Sequence, residues 1–155
     1  AREILIDSGY IHYEFSNFAF KNYQSQHNKN YWNKTYYLGI GPSAHSYNGK
    51  SRQWNVKNNS IYCEKIKTNQ VFYEKEILTK KNIMNEHILT SVRTFSGLDL
   101  QFFSDNMTYE EYKQFINESS KLERAGFFTR KENILHLTKK GILFADSISS
   151  QLFLI

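Results

Sequence analysis

The sequence predicts an α+β protein in two parts: the tail of an α/β unit, then a winged-helix-like run of helix, helix, hairpin and helix. Three observations predict it. Ile11, Tyr13 and Phe15 alternate with His12, Glu14 and Ser16, the period-two pattern of a strand. Met84, Ile88, Val92 and Phe95 recur at helical spacing. Thr108 and Glu111 form the Thr-x-x-Glu pattern of a helix capping box. A length of 155 residues suits one medium domain or two small ones.

In chain order, residues 3–8 read as the end of a helix, closed by Gly9 where a left-handed cap costs least. The strand of residues 11–15 follows. Residues 21–34, rich in Asn, Gln and Lys, read as a long loop or short helix carrying Tyr31 and Trp32. Residues 36–40 are a second apolar run, read as a strand, broken by Gly39 and Gly41 and ended by Pro42. Residues 47–70 are mostly polar, and a domain junction is placed near their end, dividing the chain into residues 1–72 and 73–155. Beyond it Thr79 is read as the cap of the Met84 helix, with Gly97 past its end. Tyr112, Phe115, Ser119 and Leu122 share one face of the helix that the capping box opens, and Gly126 stops it. Residues 127–130 and 134–137 flank Lys131, Glu132 and Asn133 as a short hairpin. Thr138 then caps a last helix carrying Ile142, Ala145, Ile148 and Leu152.

Composition excludes several classes. Hydrophobic residues make up 40% and charged residues 23%, which rules out collagen-like, fibrous and disordered chains. No stretch approaches the roughly 18–20 apolar residues of a membrane span. Cys63 is the single cysteine, so no internal disulfide or multi-cysteine cluster can be built. That fits a reducing compartment, and a cytoplasmic location is expected. The chain opens without Met and without a signal-peptide layout, in mid-element, as if cut from a longer protein. The formal charge of +5 lies wholly in the first half: residues 1–73 hold 9 Lys/Arg against 4 Asp/Glu, and residues 74–155 hold 11 of each. A basic, aromatic first half suits an anionic partner (nucleic acid, phosphate or a carboxylate-bearing ligand) or is simply a solvated surface. Affinity for DNA rests on phosphate neutralisation, and the winged-helix-like half is electrically neutral, so no nucleic-acid partner is expected.

Three groups of residues carry chemistry. In His27-Asn28-Lys29-Asn30-Tyr31-Trp32, an imidazole able to ligate haem iron stands beside flat apolar rings. Lys21, Lys29 and Lys34 are near enough in sequence to meet propionates. Taken alone, these residues read more readily as a surface histidine followed by two core aromatics. In the string from Leu38 to Ser46, glycines after a strand let backbone approach a ligand, or else make a tight turn. Glu14, Ser16 and Asn17 end the first strand, where a carboxylate acts as general acid or base, binds an amino group, or serves as a structural partner. His12, His87 and His136 lie in regular elements and read as structural, and Cys63 as an inert thiol.

Ordered motifs then carry a resemblance along essentially the whole chain. They are Tyr13-Glu14-Phe15-Ser16-Asn17-Phe18-Ala19, His27-Asn28-x-x-Tyr31-Trp32, Tyr37-Leu38-Gly39-Ile40-Gly41-Pro42-Ser43-Ala44-His45-Ser46 and Arg52-x-Trp54-Asn55. Further on come Asn85-Glu86, Arg93-Thr94, Gly97-Leu98-Asp99 and Leu137-Thr138-x-x-Gly141. Together they resemble the C-terminal part of the oxygen-independent coproporphyrinogen III oxidase-like radical-SAM proteins, closest to the HemW haem chaperone branch.

The resemblance implies that residues 1–72 are the last elements of a partial (β/α) radical-SAM barrel with its ligand loop. Residues 73–155 would be the small winged-helix-like domain that follows. It implies haem as a ligand, with His27 on the iron and Asn28, Tyr31 and Trp32 in the pocket. Gly39, Gly41 and His45 would lie on the S-adenosylmethionine side, and Glu14 and Asn17 would be weaker contacts. Relatives bind a [4Fe–4S] cluster and S-adenosylmethionine through an N-terminal CxxxCxxC, which this chain lacks, so no radical chemistry of its own is expected. The implied partners are haem or porphyrin, haem-acceptor proteins and the N-terminal half of the barrel. Many relatives carry Arg where Gln26 stands, a cation lost from the pocket. The alternative is a parent oxidase that decarboxylates porphyrin propionates; the H-N-x-x-Y-W string favours the chaperone branch.

Overall fold

The computed structural model describes residues 2–155. Its elements are α1 (Arg2–Asp7), β1 (Ile11–Glu14), β2 (Asn17–Ala19), α2 (Gln26–Trp32), β3 (His45–Tyr47), β4 (Ser51–Asn55), α3 (Asn59–Lys67) and β5 (Tyr73–Ile77). Then come α4 (Lys80–Arg93), β6 (Leu98–Asp99), α5 (Leu100–Asn106), α6 (Tyr109–Arg124), β7 (Phe128–Lys131), β8 (Ile134–Leu137), α7 (Lys139–Ile142) and α8 (Ala145–Leu152). The α+β class is the one the sequence indicates. Residues 2–25 and 80–155 form one compact unit, and Gln26–Thr79 form another.

The first unit is built by apolar burial. Met84, Ile88 and Val92 of α4, Phe103 of α5, Phe115 and Leu122 of α6, Leu135 of β8 and Ile148 and Leu152 of α8 make one continuous core. Their spacing puts each set on one helix face, and packing of those faces supplies most of the stability of the helices. The capping box forms at α6: Thr108 Oγ1 accepts from Glu111 N–H at 3.3 Å, and Glu111 Oε2 accepts from Thr108 N–H at 2.8 Å. Beside the helices lies an antiparallel sheet of order β6-β8-β7. Gly97 enters it at φ +76°, and a Cβ there would sit 2.6 Å from the Leu135 carbonyl oxygen. The neighbouring Leu98 pairs with Leu135.

The hairpin β1–β2 belongs to the same unit and buries its polar side chains. His12 and Glu14 are the buried residues of β1, while Ile11 is exposed. The alternation was legible, but the inward face is the polar one. His12 stacks on Phe18 with ring centroids 4.1 Å apart, and Arg2 Nε donates to its Nδ1 at 3.1 Å. Nε2 therefore carries the proton and donates to the Phe15 carbonyl at 3.1 Å. Glu14 bridges to Thr94 just past the end of α4, and Phe15 N–H donates to Arg93 O at 3.3 Å.

The second unit is an antiparallel sheet of order β3-β4-β5 with α2 and α3. Its register sets His45 opposite Trp54, and Trp54 opposite Glu74. Its buried residues are Tyr47, Ser51, Asn55 and Leu78.

Four readings of the sequence need correction. Residues 36–40 form no strand: only Tyr37 pairs, with Tyr47, and Leu38 and Ile40 are 75% and 84% exposed. Residues 47–70 are no plain polar connection, because β4 and α3 lie within them and Asn58 caps α3 by accepting from Ile61 N–H. The last helix is two, α7 and α8, parted at Leu143 and Phe144. Phe95 lies beyond the end of α4, and β6 and α5 fill the stretch after Gly97 that carried no assignment.

Candidate functional site

Residues 26–32 resolve into the helix α2, which sets His27 and Tyr31 one turn apart on the same face. Their ring centroids are 5.0 Å apart and nearly perpendicular. Tyr31 passes the contact to Tyr37 at 4.9 Å, and Tyr37 to Tyr47 at 6.0 Å. His27 is exposed at the open end of this aromatic row, Tyr31 is 46% exposed, and Asn28 and Trp32 are half-buried. An accessible imidazole backed by flat rings fits haem, whose iron takes a nitrogen ligand and whose macrocycle lies against apolar faces. Gln26, the first residue of α2, brings no charge.

The donor set for an iron–sulfur cluster is lacking. Cys63 is an exposed thiol on α3, and among the described residues no group of three or more His, Cys, Asp or Glu could hold a metal ion. Three thiolates cannot come from this chain.

The glycine string is a folded loop with most of its inner backbone already engaged. Gly39 N–H donates to Ser46 Oγ at 2.9 Å, and Gly41 N–H donates to the Tyr62 hydroxyl at 3.1 Å. Asn55 Nδ2 donates to the carbonyls of Gly39 and Gly41 at 3.3 and 2.9 Å. A Cβ on Gly39 would lie 2.2 Å from the His45 carbonyl oxygen, and Gly41 turns at φ +104°, so both positions need glycine. These two amides are therefore not free to cradle an anion. His45 is exposed, with its ring centroid 6.4 Å from that of Trp54, whose indole N–H donates to Glu74 Oε2 at 3.1 Å.

Glu14 is only 3% exposed, and its carboxylate closes the hairpin turn. It accepts from Ser16 N–H at 3.3 Å and from the Asn17 side-chain amide. Glu14 and Asn17 thus bind each other, within the first compact unit. His27, Asn28, Tyr31, Trp32, Gly39, Gly41 and His45 all lie in the second. Sequence reasoning passed over Tyr62 and Tyr37 as site-forming residues. Tyr62 sits in a polar helix with no local pattern to mark it.

Comparison with known proteins defines the class. Residues 78–144 match the HemN C-terminal domain. The fold matches the structure titled coproporphyrinogen III oxidase (HemN) from Escherichia coli, a radical-SAM enzyme, with a TM-score of 0.70 at 18% identity over 97% of this chain and 38% of that one. The chain thus carries a HemN C-terminal domain over residues 78–144.

Over most of its length it is similar to HemW proteins. It is 28% identical to the heme chaperone HemW of Lactococcus lactis over 98% of this chain and 40% of the relative. It is 32% identical to a putative heme chaperone HemW-like protein of Buchnera aphidicola over 94% of this chain and 39% of the relative. The heme chaperone HemW of Bacillus subtilis is 29% identical over 90% of this chain and 37% of its own length. The chain thus spans about two fifths of the curated relatives it matches.

Proposed function

We propose that this chain binds haem through His27 and that the protein it belongs to passes haem to acceptor proteins. The observation that carries the reading is the pairing on α2, an exposed imidazole with a tyrosine ring 5.0 Å away. Haem, if bound, would supply an iron that takes a nitrogen ligand. His27 offers that nitrogen, Tyr31 and Trp32 offer apolar ring faces, and Asn28 lines the same helix. The names of the HemW relatives support the chaperone branch.

The same reading takes residues 1–72 as the end of a partial radical-SAM barrel and residues 73–155 as a winged-helix-like domain. The order α4, β6, α5, α6, β7, β8 supports the latter. Gly39, Gly41 and His45 then lie on the S-adenosylmethionine side of the parent, where the cluster would be held by residues outside this chain. Glu14 and Asn17 serve the hairpin first and contact ligand only weakly.

Haemin titration of the chain and of His27→Ala, followed by the Soret band, tests the proposal. A ligated spectrum for the wild type is expected, with binding weakened at least about tenfold in the variant. Identical spectra and affinities for the two proteins would remove His27 as the ligand.

A further inference from the structure

We propose that Asn55, Tyr62 and Ser46 are positioning residues that hold residues 38–44 as a ready-made lip for a flat, carboxylate-bearing ligand; this rests on the haem reading above. Ser46 comes from β3, Asn55 from β4 and Tyr62 from α3. Their side chains take the N–H and C=O groups of both Gly39 and Gly41. Two backbone bonds secure the far end of the loop: Ser43 N–H donates to Val56 O at 3.2 Å, and Asn55 N–H to Ala44 O at 3.0 Å.

Leu38 and Ile40 alternate along the loop with the two bound glycines. Their apolar side chains are largely exposed, and among the described residues neither Leu38 nor Ile40 makes a backbone hydrogen bond. Two apolar side chains beside two free N–H donors suit a ligand with a planar apolar body and an anionic rim. Because the loop is ordered beforehand, binding does not have to order it.

Asn55 shows what the arrangement costs. It is 1% exposed, and its Oδ1 has no partner. A residue needed only to fill space would be apolar, since a buried acceptor without a donor is destabilising. What Asn55 adds is a pair of N–H donors, both spent on the glycine carbonyls.

Tyr62→Phe removes a single oxygen and Asn55→Asp removes both donors. Hydrogen–deuterium exchange and haemin titration are run on each and on His27→Ala. In both clamp variants, exchange at residues 39–44 should rise about tenfold while β4 and β5 stay protected. Haemin binding should weaken about fivefold, with the shape of the Soret band unchanged. His27→Ala should do the reverse, altering the band and leaving loop exchange as it was. Unchanged exchange, or faster exchange with wild-type haemin affinity, overturns the positioning role alone. A wild type that does not bind haemin overturns both this and the haem reading. Should Asn55→Asp unfold, Tyr62→Phe decides.

Discussion

The two compact units of this chain are held together in different ways. In residues 2–25 and 80–155, side chains such as Phe103, Phe115, Ile88, Leu98 and Ile148 are almost wholly removed from water. In residues 26–79 the most buried large side chain is Asn55, and Tyr36, Leu38, Ile40 and Ile77 lie mostly exposed. One unit is organised by non-directional apolar burial, the other by directed hydrogen bonds to a glycine loop. Burial tolerates imprecision. A hydrogen-bonded loop does not, and it leaves apolar surface free for something else to cover.

The largest expected effect tests the apolar side of this contrast. Phe103 is fully buried, with its ring centroid 4.7 Å from that of Phe115. Phe103→Ala should lower the stability of its unit by about 3–5 kcal/mol in urea unfolding, since it loses transfer energy and leaves a cavity. A loss under about 1 kcal/mol would mean that this cluster does not hold the unit together.

Next comes a test of the directed side. At Gly39 an added Cβ would meet the His45 carbonyl oxygen, a backbone atom that cannot rotate away. Gly39→Ala should push the loop off Ser46 and Asn55 and destabilise the second unit by about 1–3 kcal/mol. Amide protection in α6 should be untouched. Equal loss of protection in α6 and in β4 would show that the two units unfold as one, and the comparison would fail.

The apolar unit was far easier to read from sequence than the loop unit, and the reason is physical. Met84, Ile88 and Val92, or Phe115, Ser119 and Leu122, announce a helix face by their period, because burial on one side of a helix demands it. Thr108 and Glu111 announce a cap because only such side chains reach the free N–H groups. No local period announces that Asn55 will bind Gly39 and Gly41, 16 and 14 residues away, or that Tyr62 will reach across 21 residues. Residues 36–40 looked like a strand because they are apolar, yet no neighbouring strand pairs with them beyond Tyr37. The inward turn of His12 and Glu14 was hidden for a similar reason. Alternation reveals a strand but not which face is covered, and here Phe18, Phe95 and Arg2 gather on the polar side. The HNxxYW and glycine motifs were legible only as a resemblance.

The smallest expected effect concerns acid and the start of α6. The Thr108 backbone N–H, bonded to Glu111 at 2.8 Å, holds the Glu111 carboxyl below its ordinary value of 4.5, with Lys80 and Lys81 adding a weaker pull. A carboxylate whose value is lower in the folded than in the unfolded chain stabilises the fold above the unfolded value. That contribution is lost as pH falls through the lower, folded one. Glu111→Gln keeps a side chain that can reach back to Thr108 but removes the charge and the titration. The wild type should therefore be the more stable at pH 7, by no more than a few tenths of a kcal/mol because the pair is exposed. The gap should narrow as the pH drops below about 4.5 and close further down. Urea unfolding of both proteins from pH 7 to pH 3 measures it. A gap that stayed constant across that range would mean the cap works through shape alone, and that charge adds nothing to the better-buried unit.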